Sequence, residues 1–99
     1  MPLFVISWFD KPGALAVRQT NRQAHLDYVA GLPGVLQLGG PFLDEHGQMA
    51  GSLLIVDLLD LAAAEAFADA DPYHRAGLYE TRTIRPWRAT AGPLAQALA

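Results

Sequence analysis

Residues Leu3–Phe9 read LFVISWF, a run of β-branched and aromatic types with apolar side chains on both parities of an extended chain. A strand of that kind needs cover on both faces, so it belongs inside a sheet rather than at a solvated edge. Turn chemistry in Asp10-Lys11-Pro12-Gly13 ends it. With 99 residues the chain can build one hydrophobic core and not two. Whatever covers this strand must therefore come from a single layer of its own chain and from something else.

The remaining segments supply that layer. Helical spacing over Leu15–Leu32 places Ala24, His25, Tyr28, Val29 and Leu32 on one face, with Arg18, Arg22 and Asp27 mostly elsewhere. Gly31, Pro33 and Gly34 stop this helix. A short strand follows at Val35–Leu38, broken by Gly39-Gly40-Pro41. A polar loop (Leu43–Met49) and a further strand (Gly51–Leu58) come next. Asp60 caps a second helix, Leu61–Ala70, whose apolar face includes Leu61, Ala64 and Phe67. Leu78–Ile84 alternates as a last strand, closed by Pro86 and Trp87. Residues 1–88 form the domain, and 89–99 are a tail that is either a short helix or frayed.

The order is β-α-β-β-α-β, the ferredoxin-like arrangement: a four-stranded antiparallel sheet with two helices on one face. The opposite face stays bare. Apolar types reach 52% and charged types only 17%, which is low for a small solvated monomer. A homodimer through the open sheet face is the expected cover, with higher oligomers left open.

Composition removes several function classes. The formal charge is −3, Lys11 is the only lysine, and no basic block occurs, so nucleic-acid binding is disfavoured. Cysteine is absent, which excludes disulfides, thiolate catalysis and sulfur-ligated zinc. No signal-peptide pattern and no apolar run near the ~20 residues of a membrane span is present. A cytoplasmic protein without membrane contact is the expectation.

The stretch DPYHRAG, residues 71–77, gathers a carboxylate, a phenol, an imidazole and a guanidinium. His25 lies on the apolar face of the first helix. Such a residue is either a half-buried histidine satisfied by one hydrogen bond or, with a carboxylate to orient it, a general base near neutral pH. Asp71 is the natural carboxylate, because it follows the second helix, which runs beside the first. Its other reading is a turn former in the Asp-Pro pair. Tyr73 either donates into a pocket or plugs the core, while His74 and Arg75 read as surface residues. Gly40, before Pro41, can present a main-chain N–H, although no nucleotide signature surrounds it. Ser52 has no nucleophile elbow around it. Asp44, Glu45 and His46 are adjacent on a loop rather than spaced to converge on a metal, and the three histidines share no ligand spacing.

The chain resembles the YciI-like proteins, the YCII-related domain family. The resemblance rests on LFVISWFDKPG, on Arg22 with His25-Leu26, and on GGPFLDEHGQMAGS across residues 39–52. It continues through DPYHRAGLYE at 71–80 and IRPW at 84–87. It implies a ferredoxin-like fold whose sheets pair into a dimeric α+β barrel, and a site built on a His–Asp pair at His25 and Asp71. Gly39, Gly40 and Pro41 fall on the family's turn, usually a single glycine before the proline; Ser52 and Tyr73 occupy shared positions. Some related proteins are linked to dehydrochlorination or ring-lactone chemistry.

Together these residues are consistent with general acid–base catalysis on a small organic molecule, by isomerisation, elimination or a lactone-type reaction. His25 and Asp71 would be catalytic, and Arg22, Gly40, Pro41, Ser52 and Tyr73 would line the substrate pocket. Such chemistry needs no metal and no organic cofactor. Two other classes fit the same sequence. One is a binding or sensing module without turnover; the other is a structural dimer domain in which His25 and Asp71 only stabilise helix packing.

Overall fold

The computed structural model describes residues 2–98. Four strands and two principal helices follow one another as β1 (Leu3–Asp10), α1 (Leu15–Ala30), β2 (Leu36–Leu43), β3 (Met49–Asp57), α2 (Leu61–Asp69) and, after a one-turn helix α3 (Pro72–Arg75), β4 (Tyr79–Trp87). A further turn of helix, α4 (Ala95–Leu98), lies in the tail. All strand pairs are antiparallel, in the order β2-β3-β1-β4. This is the ferredoxin-like topology.

Burial alternates along β1, and its even positions Phe4, Ile6 and Trp8 form the floor of the core. Leu54 and Val56 of β3 join them, covered by Val29 of α1 and by Ala64, Phe67 and Ala68 of α2. The small alanines let α2 approach the sheet closely. Asp60 caps this helix by accepting from the Ala63 N–H at 2.8 Å. Gly51 is needed where β3 meets β1, because a Cβ there would collide with the Trp8 carbonyl oxygen.

The barrel implied by the family resemblance is overturned. The sheet is open: β2 and β4 lie at opposite edges, β3 and β1 separate them, and no ladder joins the edges. Closure takes roughly eight strands at small-barrel dimensions, and the chain supplies half of them.

Three local features also differ from the sequence-based expectation. β2 runs straight through Gly39-Gly40-Pro41 instead of breaking there, since an edge strand tolerates a proline that donates nothing to the ladder. The Asp71 region is not merely a turn; Asp71 caps α3, with Pro72 at its first position. Finally, β4 does not alternate cleanly. Its pairing with β1 shifts between Phe9 and Asp10, so Thr81 faces Phe9 while Tyr79 faces Asp10. Among the described residues no helix is long and apolar enough to cross a membrane.

Candidate functional site

The helix layer and the β2 end of the sheet enclose a cavity of about 230 Å³. Its apolar wall comes from Leu26, Val29, Leu36, Met49 and Leu54. Its polar lining comes from Arg18, Arg22, His25, Ser52 and Tyr73, and Gly39, Gly40 and Pro41 of β2 close one side. A Cβ on Gly40 would touch nothing within 4 Å, so the main chain at Gly40 stands unobstructed.

His25 projects from α1, is 7% exposed, and meets Asp71 at the start of α3. Its Nδ1 lies 2.9 Å from Asp71 Oδ1 and 3.1 Å from Oδ2. A carboxylate accepts only, so Nδ1 carries the proton. The second ring nitrogen, Nε2, makes no hydrogen bond among the described residues. Asp71 is fully buried. Its Oδ1 also accepts from the Tyr73 N–H at 2.9 Å, which caps α3. Asp71 follows the C-terminal end of α2, where negative charge is disfavoured, but the same carboxylate opens α3, where it is favoured.

Tyr73 lies beneath the imidazole, the two rings stacked with centroids 4.1 Å apart and planes 15° from parallel. On the same tyrosine ring rests the guanidinium of Arg18, its carbon 4.7 Å from the centroid. Arg18 was expected off the buried face of α1, and the structure reverses that: it is 2% exposed. Asp10, at the end of β1, draws it inward through a two-point contact, Nε to Oδ2 at 2.7 Å and Nη2 to Oδ1 at 2.8 Å. Nη2 also donates to Ser52 Oγ at 2.9 Å, and Ser52 shares a 3.0 Å hydrogen bond with the Tyr79 hydroxyl.

Electrostatics follow the geometry. Burial works against the Arg18 charge, but the hydrogen bonds and charge of Asp10 outweigh it and hold the guanidinium pKa above its ordinary value. Burial raises the Tyr73 phenol, opposed by the Arg18 charge. Burial likewise pushes Tyr79 well above an ordinary phenol, despite the opposing bond to Ser52.

Sequence reasoning missed Asp10, Arg18 and Tyr79. An acidic residue closing a strand eight positions before a helical arginine was the available signal for the first pair. Tyr79 gave none, because the irregularity in β4 turns its ring onto Trp8 on the core side, with centroids 5.0 Å apart. Ala24 and Leu32, expected on the buried face of α1, are exposed. His74, Arg75, Asp44, Glu45 and His46 are all exposed, the last three at the β2–β3 turn. Among the described residues no group of three histidines or carboxylates converges as a metal site.

Comparison with known proteins places this architecture. The chain is 38% identical over 94 aligned positions to Protein YciI of Escherichia coli O6:H1, covering 87% of this chain and 96% of the relative. Protein YciI of Shigella flexneri matches to the same extent. Among solved structures, 5-chloro-2-hydroxyhydroquinone dehydrochlorinase from Burkholderia phenoliruptrix AC1100, in complex with 2,5-dihydroxybenzoquinone, superposes with a TM-score of 0.82. It is 34% identical, over 89% of this chain and 95% of that one. An antibiotic biosynthesis monooxygenase at 15% identity and a TM-score of 0.58 shares the fold alone. Residues 2–88 match the YCII-related domain, and the chain belongs to that family.

Proposed function

We propose that the chain is a small-molecule enzyme in which His25 removes and relays a proton while Asp71 holds the ring and stabilises the imidazolium. The observation that carries this reading is the buried 2.9 Å contact between His25 Nδ1 and Asp71 at the wall of an apolar cavity. With Nδ1–H committed to Asp71, Nε2 is the basic atom left for a ligand, as in other oriented histidines. The Tyr73 hydroxyl, Ser52 and the main-chain N–H near Gly40 would stabilise negative charge developing on a substrate oxygen. Arg22, exposed at the rim, would attract an acidic substrate.

A cavity of about 230 Å³ suits a single small ring. Elimination is favoured among the possible reactions by the similarity to a dehydrochlorinase. For a chlorinated trihydroxybenzene, His25 would take one hydroxyl proton and return it to the chlorine-bearing carbon. Loss of a second hydroxyl proton, with departure of chloride carrying its electron pair, then leaves a hydroxyquinone. Chloride release from such a substrate, alongside a panel of lactones and enol acids, tests the reading. We expect turnover that His25→Asn removes. Saturable binding with no turnover of any compound would overturn it in favour of a binding module.

The open sheet face is the proposed seat of a second copy, packed face to face. Val5, Leu53, Ile55 and Trp87 border an apolar depression there. Trp87 is 41% exposed, and Phe9, stacked on Phe42, is 56% exposed. Light scattering should give a dimer that Leu53→Glu splits; a wild-type monomer would remove this part.

A further inference from the structure

Arg18 is the buried charge to which the acid–base reading assigns no task. Asp10 occupies its Nε and Nη2, and Ser52 takes a second bond from Nη2. The remaining nitrogen, Nη1, donates no hydrogen bond of ordinary geometry among the described residues, although the residue is only 2% exposed and lines the cavity. Tyr73 is in the same position: it is 2% exposed and lines the cavity, and its hydroxyl makes no hydrogen bond of ordinary geometry among those residues, although the Arg18 guanidinium beside it favours the phenolate. Both residues line the cavity wall, where a bound molecule can meet them. Asp10 and Ser52 hold the guanidinium by Nε and Nη2, and a bound acceptor can take the nitrogen they leave.

We propose that Nη1 of Arg18 and the Tyr73 hydroxyl form a subsite for an ionised oxygen, so that the cavity takes a weak acid and holds it as its conjugate base. This rests on the reading of His25 as the proton acceptor. The two carboxylates, Asp10 and Asp71, balance the two guanidiniums, Arg18 and Arg22, while His25 is neutral. A ligand O–H bond then breaks towards Nε2, an N–H bond forms, and the electron pair stays on the ligand oxygen. The imidazolium faces Asp71 and the new anion faces Arg18. A neutral acid imports no net charge, an acid already ionised in water reaches the same state when Nε2 takes up a proton from solvent, and both charges are then paired. The Asp10 contact also orients the ion pair, with its positive end towards the cavity.

The test is calorimetric binding of two flat quinones, 2,5-dihydroxybenzoquinone, which is ionised at neutral pH, and its neutral dimethoxy analogue. Wild type is expected to prefer the ionised quinone by about tenfold or more. The paired substitution R18Q with D10N, which leaves no buried charge unmatched, should bring the ratio near one without weakening the dimethoxy compound. R18K, which keeps the charge but loses the planar fork, should lower the ratio and serves if the double variant does not fold. Tyr73→Phe should lower it by a smaller factor. Equal affinities in wild type, no saturable uptake of the ionised quinone, or a ratio that neither Arg18 variant moves would each overturn the subsite. Preferential binding without turnover of any substrate would remove the enzymatic reading and leave the subsite standing; turnover with equal affinities would do the reverse.

Discussion

The imidazole of His25 lies flat on the ring of Tyr73, 4.1 Å between centroids, while its edge is bonded to Asp71. One contact fixes the ring's plane and the other its rotation within that plane. Tyr73→Phe preserves the plane and should leave stability nearly unchanged while lowering turnover through the lost hydroxyl. Tyr73→Ala removes a 2%-exposed ring and should lower unfolding free energy by roughly 3–5 kcal/mol, read by urea denaturation. Equal stability of these two variants would show that the stack bears no packing energy.

Asp71→Asn keeps the volume but removes the charge and permits the wrong histidine tautomer. Turnover should fall by about 10³–10⁴, by analogy with other orienting carboxylates, and the nitrogen shifts of the His25 ring should change. NMR of wild type and variant checks the second point independently of any substrate. Unaltered ring signals would mean that the two groups are not coupled in solution.

Arg18→Met should be among the more damaging single substitutions, because it strands the buried Asp10 carboxylate. Breaking one side of a buried pair costs about 3–5 kcal/mol. Replacing Asp10 by asparagine in the same chain should recover part of that loss. Denaturant midpoints of the single and double variants measure it, and a deeper loss in the double variant would contradict the pairing.

All three tyrosines, Tyr28, Tyr73 and Tyr79, have phenols raised above 10.0, in each case chiefly by burial. Folding therefore favours their neutral forms. That contribution is complete below the unfolded value of 10.0 and is lost as pH climbs from there through the raised folded values. Phenolate absorbance should show no titration step at 10.0 in the folded protein and should rise only at higher pH, with alkaline unfolding followed in parallel by circular dichroism. A phenolate step at 10.0 in the folded protein would contradict the raised values.

Gly51→Ala places a methyl group against the Trp8 carbonyl oxygen, which is main chain in the middle of a sheet and cannot yield cheaply. A loss of about 1–3 kcal/mol is expected by thermal or urea unfolding. Gly40→Ala meets open space and should cost far less.

Much of the scaffold could be read from residue pattern. LFVISWF announces a central strand, and the switch from period two to helical spacing at Leu15 announces α1. The Asp-Pro-Tyr carboxylate and the histidine on α1 could be paired from topology, since α1 and the segment after α2 share one face. Three things were hidden. Glycine and proline at 39–41 look like breakers, yet an edge strand pairs on one side only and has no second ladder for Pro41 to spoil. Arg18 looks like a solvent residue because its burial depends on Asp10, which lies on another element. Tyr79 occupies the wrong parity until one irregularity in β4 turns it inward, and no local propensity encodes that displacement.

Asp71 Oδ1 receives both the His25 ring and the Tyr73 main-chain N–H. The carboxylate that starts α3 is thus also the one that holds the imidazole, and fraying of that single helical turn would release the histidine. The amide proton of Tyr73 becomes a reporter: its hydrogen exchange should slow whenever a bound molecule draws the imidazole into the charged form and tightens its grip on Asp71. Occupancy could then be followed residue by residue with an unreactive compound, through the protection of one backbone proton rather than through product.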